Sequence, residues 1–211
     1  PNLNRDIYPS PMAAFDDLAA AYRSIIRQFY DTGCRYLQLD ECNLPMLCDQ
    51  TYQAQLRERG DDPDLLIKEF SRLINTSLQS HPTDMTITIH TCRGNFRSKW
   101  MAEGSYDPVA EYLFGMLDVD GFFAEYDTDR AGGFEPLRFL PKDKLLVLGL
   151  VSSKEGELES AEAIKSRIEQ ATRYVDLERI CLSPQCGFSS SEEGNVLTED
   201  QQWRKLAFVK K

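Results

Sequence analysis

The sequence predicts an α/β fold: a TIM-type (β/α)8 barrel, represented here by five consecutive β/α units. Three observations predict it. Short β-rich runs alternate with segments of helical period along the 211 residues, the pattern that builds right-handed βαβ crossovers and a parallel sheet. Several of those runs are apolar on both faces, as strands covered on two sides must be. No G-x-G-x-x-G or Walker sequence follows the first run, as a doubly wound nucleotide-binding sheet would want; "RYLQLD" leads instead into the acidic, glycine-free "ECNLPMLCD". Five strands cannot close a barrel, which needs about three more. The chain also lacks an initiator Met, so the first strands are expected before Pro1, and residues 1–211 are read as a single partial barrel domain.

The elements follow in order. "SPMAAFDDLAAAYRSIIRQFYDTG" offers Ser10 as an N-cap, Pro11 at the first helical position and Gly33 as a terminator. Its residues Phe15, Leu18, Tyr22, Ile25, Ile26 and Phe29 keep helical spacing and form the expected inner face. "RYLQLD" (35–40) is the first strand. A second helix starts at Asp62 and Pro63 and carries the stripe Leu66, Phe70, Leu73 and Ile74; "MTITIH" (85–90) is the next strand. A third helix, capped by Asp107 with Pro108 behind it, turns Val109, Tyr112, Leu113 and Met116 inward. The remaining strands are "GFFAEYD" (121–127), "KLLVLGLV" (144–151) and "RICLS" (179–183). Helices start near Ser160, with Ile164, Ile168 and Ala171 facing inward, and near Thr198.

Composition narrows the function classes. A net charge of −10 with scattered Lys and Arg argues against a nucleic acid or an anionic membrane as partner. No apolar run approaches the roughly 20 residues that span a bilayer, and "PNLNRDIYPSP" has no apolar signal-peptide core. The six cysteines include no Cys-x-x-Cys pair. In a chain of this size without a secretory signal they read as reduced thiols of a cytoplasmic protein.

In a barrel, chemistry sits at the C-terminal strand ends. The first strand ends in Asp40 and Glu41, the second in His90 with Cys92 just beyond, the third in Glu125 and Asp127, and the last runs into Cys186. Imidazole, two thiols and a choice of carboxylates therefore converge on one rim. Imidazole with two thiolates is a good zinc set, and a carboxylate can complete it. Each residue also has a plainer reading. His90 would be a satisfied buried histidine, Asp40 and Glu41 caps of the next segment, and Glu125 a partner of Arg130. Cys34, Cys42, Cys48 and Cys181 read as small buried hydrophobes.

The motifs "LQLDE", "HTCRGNF", "FFAEYD" and "LSPQCGF", in this order, resemble the catalytic barrel of cobalamin-independent methionine synthase, and most closely the short single-barrel members of that family. The resemblance covers essentially the whole chain. It implies a barrel of the methionine synthase/uroporphyrinogen decarboxylase-like type, with zinc as cofactor held by His90, Cys92, Glu125 and Cys186. It implies that Asp40 binds the substrate amino group. The implied reaction is methyl transfer to the thiol of homocysteine, giving methionine, with methyltetrahydrofolate or a methylcobalamin protein as donor. The alternatives are a corrinoid-linked thiol methyltransferase of the related barrel family and a non-catalytic zinc-binding paralogue. Where the long enzymes of the family carry a histidine after the seventh strand, this chain reads Ser152, Ser153 and Lys154. Five strands also leave two open barrel edges, through which the chain is expected to self-associate.

Overall fold

The computed structural model describes residue 4 and residues 6–210; Pro1, before which the first strands are expected, lies outside the described residues. At its centre is one parallel sheet of five strands: β1 (Tyr36–Glu41), β2 (Thr86–Thr91), β3 (Gly121–Glu125), β4 (Leu145–Val151) and β5 (Ile180–Pro184). Each strand lies beside the one before it in sequence, in the order β1-β2-β3-β4-β5. A doubly wound sheet reverses its strand order at a switch point, and this sheet does not. Its winding is that of a barrel wall. All five expected strands are present, with ends shifted by one or two residues.

The registers bring the strand ends level. Asp40 pairs with His90 and Glu41 with Thr91, Thr91 pairs with Ala124, and Glu125 pairs with Gly149. The β4–β5 ladder then slips between Gly149 and Val151. A Cβ on Gly149 would sit 2.7 Å from the Cα of Gln185, so only glycine lets the end of β5 approach this closely. That approach carries the segment holding Cys186 to the rim. The apolar centre is sealed by Ile87, Ile89, Phe122, Leu146 and Leu148, each fully buried.

The helices follow their caps. α1 (Phe15–Asp31) begins later than expected, because the Ser10 hydroxyl caps a 3-10 turn, Pro11–Ala14, that precedes it. Two short helices after β1, α2 (Asn43–Met46) and α3 (Gln50–Glu58), were not anticipated. α3 starts on the Asp49 carboxylate but buries only Leu56, so it leaves almost no apolar period to read. α4 (Pro63–Leu78) is capped by Asp62 as expected. α5 (Ala110–Met116) starts two residues later than expected, since Asp107 bonds Ser105 and Arg138 instead of capping. Val109 and Leu113 are buried there, whereas Met116, expected inside, is exposed. α6 (Ala161–Ala171) is capped by Ser160, and α7 (Glu199–Val209) by a Thr198/Gln201 capping box. Among the described residues no helix is long and apolar enough to cross a membrane.

The inner stripe expected of α1 is only partly covered. Phe15 and Ile26 are buried, but Leu18, Tyr22, Ile25 and Phe29 are exposed. Among the described residues β1 has a neighbour on one side only. The α1 stripe faces an open groove of about 480 Å3 along that edge, with Leu37, Leu39 and Phe70 on its other walls.

Candidate metal centre

Four side chains from three strand ends meet at the rim. His90 is in β2 and Cys92 follows it, Glu125 ends β3, and Cys186 lies two residues past β5. One donor atom from each lies within 4.8 Å of all the others. The Cys92 and Cys186 sulfurs are 3.8 Å apart. Two thiolates on a tetrahedral zinc, with Zn–S of about 2.3 Å, are separated by about 3.8 Å. His90 Nε2 stands 3.6 Å from Glu125 Oε1, and neither atom has a hydrogen-bond partner among the described residues. Glu125 is fully buried and His90 nearly so. Unpartnered donors of this kind are costly to bury, and they aim at one point. The residues fit a zinc ion.

His90 is not a satisfied buried histidine, since its Nε2 has no hydrogen-bond partner among the described residues. Glu125 does pair with Arg130, Oε2 to Nη2 at 3.3 Å, but its other oxygen remains free for the centre. Asp127 is also held by Arg130, at 3.3 Å, and stands outside the donor group. Of the two neighbouring acids on β1, Glu41 turns inward and caps α2, accepting from the Asn43 and Leu44 amides at 2.8 Å each. Asp40 points the other way, with a carboxylate that is largely exposed and 4.0 Å from His90 Nε2.

A second layer holds the donors in place. The Tyr106 hydroxyl bridges the ends of β2 and β3: it bonds Thr91 Oγ1 at 2.9 Å and accepts the Glu125 amide at 3.1 Å. The Arg93 guanidinium lies over the Tyr106 ring, 4.1 Å from its centroid, and donates to Gly104 O. The Gly94 amide points at the Cys92 sulfur, 3.4 Å away. Its φ of +92° and the nearness of Met101 leave no room for a side chain. Lys154, where the long enzymes of the family are expected to carry histidine, donates from Nζ to Gly94 O at 2.9 Å. Asn95 donates to Gly187 O at 2.6 Å and ties the loop after Cys92 to the loop after Cys186.

The metal-free electrostatics match a site that wants a cation. Contact with Cys186 draws the Cys92 thiol down, but contact with Cys42, burial and the charge of Glu125 outweigh it and push it up to about 12. Cys186 is pushed up by Cys92 and by burial. Burial raises Glu125 against the opposing pull of Gln185, His90 and Arg130. Burial pulls His90 down, yet Cys186 and Glu125 beside it raise it overall. Burial lowers Lys154.

The expectation that Cys34, Cys42, Cys48 and Cys181 are buried holds only for Cys48. Cys34 is half-buried, and Cys42 and Cys181 are exposed. Cys181 lies in β5, which among the described residues has a neighbouring strand on one side only. Cys42 belongs to the rim: its sulfur groups with Cys92 and the Asp40 carboxylate. Its place two residues past Asp40, at the same strand end, was the available signal. Tyr106 carried none, because only the fold brings it to the donors, whereas Arg93 and Asn95 lie within "HTCRGNF" beside Cys92 and lacked only a local sign of what they bond.

Comparison with known proteins bears on all of this. The Bacillus subtilis proteins YxjH and YxjG, both uncharacterized, are each 51% identical to the chain over 98% of its length. The methionine synthase of Pyrococcus furiosus is 24% identical over 86% of it. The chain spans 55% of the length of YxjH and YxjG, about half of the relatives it matches. A Listeria monocytogenes structure, provisionally assigned as a vitamin-B12-independent methionine synthase, superposes with a TM-score of 0.74 at 40% identity, over 97% of this chain and 55% of that one. A B12-independent methionine synthase from Shewanella sp. W3-18-1, solved with selenomethionine, shares the fold at a TM-score of 0.68 and 16% identity, with the same coverage. The fold is thus part of a methionine synthase-type barrel. The model of the cobalamin-independent synthase catalytic domain matches residues 5–207, and the chain belongs to that family.

Proposed function

We propose that residues 1–211 form part of the catalytic barrel of a cytoplasmic, zinc-dependent methyltransferase that methylates the thiol of homocysteine to give methionine. The observation that carries this reading is the convergence of His90, Cys92, Glu125 and Cys186 with two buried donor atoms unpartnered. Those four residues would hold the zinc. Such an ion makes a bound thiol a thiolate at neutral pH, which the free thiol, with a pKa near 8.5, mostly is not.

The chain's own groups supply the rest. Asp40, exposed beside His90, offers a countercharge to the substrate ammonium. Glu125 is shared with Arg130, so its carboxylate would be the most weakly held of the four donors. Lys154 and Asn95 fix the loops that carry Cys92 and Cys186. They keep the two sulfurs aligned while the methyl carbon passes from donor to acceptor. The substrate thiol gives up its proton, its sulfur forms the new bond to the methyl carbon, and the bond from that carbon to the folate nitrogen or to cobalt breaks, the electron pair staying with the nitrogen, which takes up a proton, or with the cobalt. The donor is a methyltetrahydrofolate or a methylcobalamin protein.

Cobalt substitution tests the reading. Homocysteine added to the Co2+ form of the protein should change the visible absorption of the metal. An unchanged spectrum at saturating homocysteine would sink the proposal. Affinity for zinc should also depend on pH. Cys92 and Cys186 both carry protons at neutral pH in the metal-free chain, and ligands must lose them to bind. Displacing two protons makes affinity rise about 100-fold per pH unit through the neutral range. The raised values of His90 and Glu125 make the fall steeper on the acidic side. Competition with a chelator across pH 6–9 would measure the slope.

A further inference from the structure

We propose that Asp40, Cys42 and Cys92 form a second cation position, for a soft divalent ion such as Zn2+ or Cd2+, with the Cys92 sulfur shared between this position and the four-donor set. The backbone builds it. β1 and β2 pair as far as Glu41 and Thr91, and the Cys92 amide donates to Glu41 O at 2.8 Å. The ladder therefore runs one step beyond the strands and sets Cys42 across from Cys92. Neighbouring strands lie about 4.8 Å apart, a spacing at which two facing thiols can meet one ion. One donor atom from each of Asp40, Cys42 and Cys92 lies within 4.8 Å of the other two. Zinc bonds of about 2.0–2.3 Å close that gap with a small side-chain rotation.

The donor types select the ion. Two thiolates and one carboxylate suit zinc or cadmium and exclude magnesium and calcium, which take oxygen ligands. Asp40 and Cys42 are exposed whereas Cys92 is buried. The position opens to water on one side and is weaker than the enclosed set beside it. Cys92 is already a thiolate when the first ion is bound. The second ion therefore displaces one proton, from the Cys42 thiol, and that proton passes to the buffer. An ion here also neutralises Asp40. If Asp40 holds a substrate ammonium, as the proposed function has it, the ion and the amino acid exclude one another.

The test is a titration of the metal-free, reduced protein with Cd2+. Bound ions per chain are counted by equilibrium dialysis, and the thiolate-to-cadmium absorption band is followed. We expect two equivalents, the second at least about tenfold weaker, with one proton released on its binding. Cys42→Ser should abolish the second equivalent and leave the first unchanged, and Asp40→Asn should weaken only the second. A second equivalent that survives Cys42→Ser would overturn the proposal. So would a single equivalent that survives Cys42→Ser but is lost in Cys186→Ala, and that result would leave the four-donor set standing. A single equivalent with the opposite sensitivity would support the Asp40–Cys42–Cys92 position at the expense of the four-donor reading.

Discussion

At the C-terminal ends of the strands, polar side chains are buried; along α1 and β1, large apolar ones are exposed. Glu125 is 0% exposed and His90 9%, while Tyr22 and Phe29 are each 47% and Tyr36 52%. Both regions depart from the usual burial rule, in opposite directions, and the shape of each departure differs. At the rim the unpartnered atoms converge on one point, which is what a single ion can satisfy. On the flank the apolar groups spread over a helix face and a strand edge, which only another surface can cover. Burial alone would flag both regions, and convergence tells them apart.

The largest expected effect breaks the convergence. His90→Ala or Cys186→Ala should lower zinc affinity by more than about 100-fold, beyond what loss of an outer-shell partner costs. Metal analysis in the Cys42→Ser background, where the Asp40–Cys42–Cys92 position is absent, should then find the ion lost. Retention of a full equivalent in both double variants would end the single-point account of the rim. Next comes Arg130→Ala. Arg130 is the buried counterion of Glu125 and Asp127, and removing one partner of a buried pair costs about 3–5 kcal/mol. Denaturant midpoints should show that loss, and it should shrink when zinc is present, because the ion replaces the missing positive charge. An equal loss with and without zinc would place Glu125 outside the metal's reach.

Two adjacent residues sharpen the flank. Ile26 is 2% exposed and Ile25 45%. Ile26→Ala should cost about 2–5 kcal/mol, and Ile25→Ala within about 0.5 kcal/mol. Similar losses at both positions would mean that the α1 stripe is covered in solution. The smallest effect is the concentration dependence of size. The 211-residue chain should self-associate through the exposed flank, and Phe29→Lys should shift it toward monomer in sedimentation velocity. A monomer at every concentration would show that this surface attracts no second copy.

Much of the fold could be read from local pattern. β-branched and apolar runs marked all five strands. Asp62, Ser160 and Thr198 marked helix starts because an N-cap is a bond within a few residues. α3 escaped because its stability comes from a cap and one buried leucine. Met116 was misjudged because helical period says which residues share a face and not whether anything lies against it. At the rim, the donor types were legible because each sits at the end of a recognisable strand. Cys42 reads as buried from its residue type alone, and its place at the same strand end as Asp40 is the signal that points to the rim instead.

The sequence by itself determined that five strands alternate with helices and which side-chain types stand near the strand ends, since these follow from period, caps and side-chain chemistry. Only the tertiary structure decided that Cys92 and Cys186, 94 positions apart, sit 3.8 Å from each other. It also decided that Glu41 turns into the fold while Asp40 stays at the mouth, and that four of the six residues of the α1 stripe are left exposed. The physical reason is one of range. Propensity and capping act over a few residues, whereas coordination and burial depend on what distant segments bring to the same place.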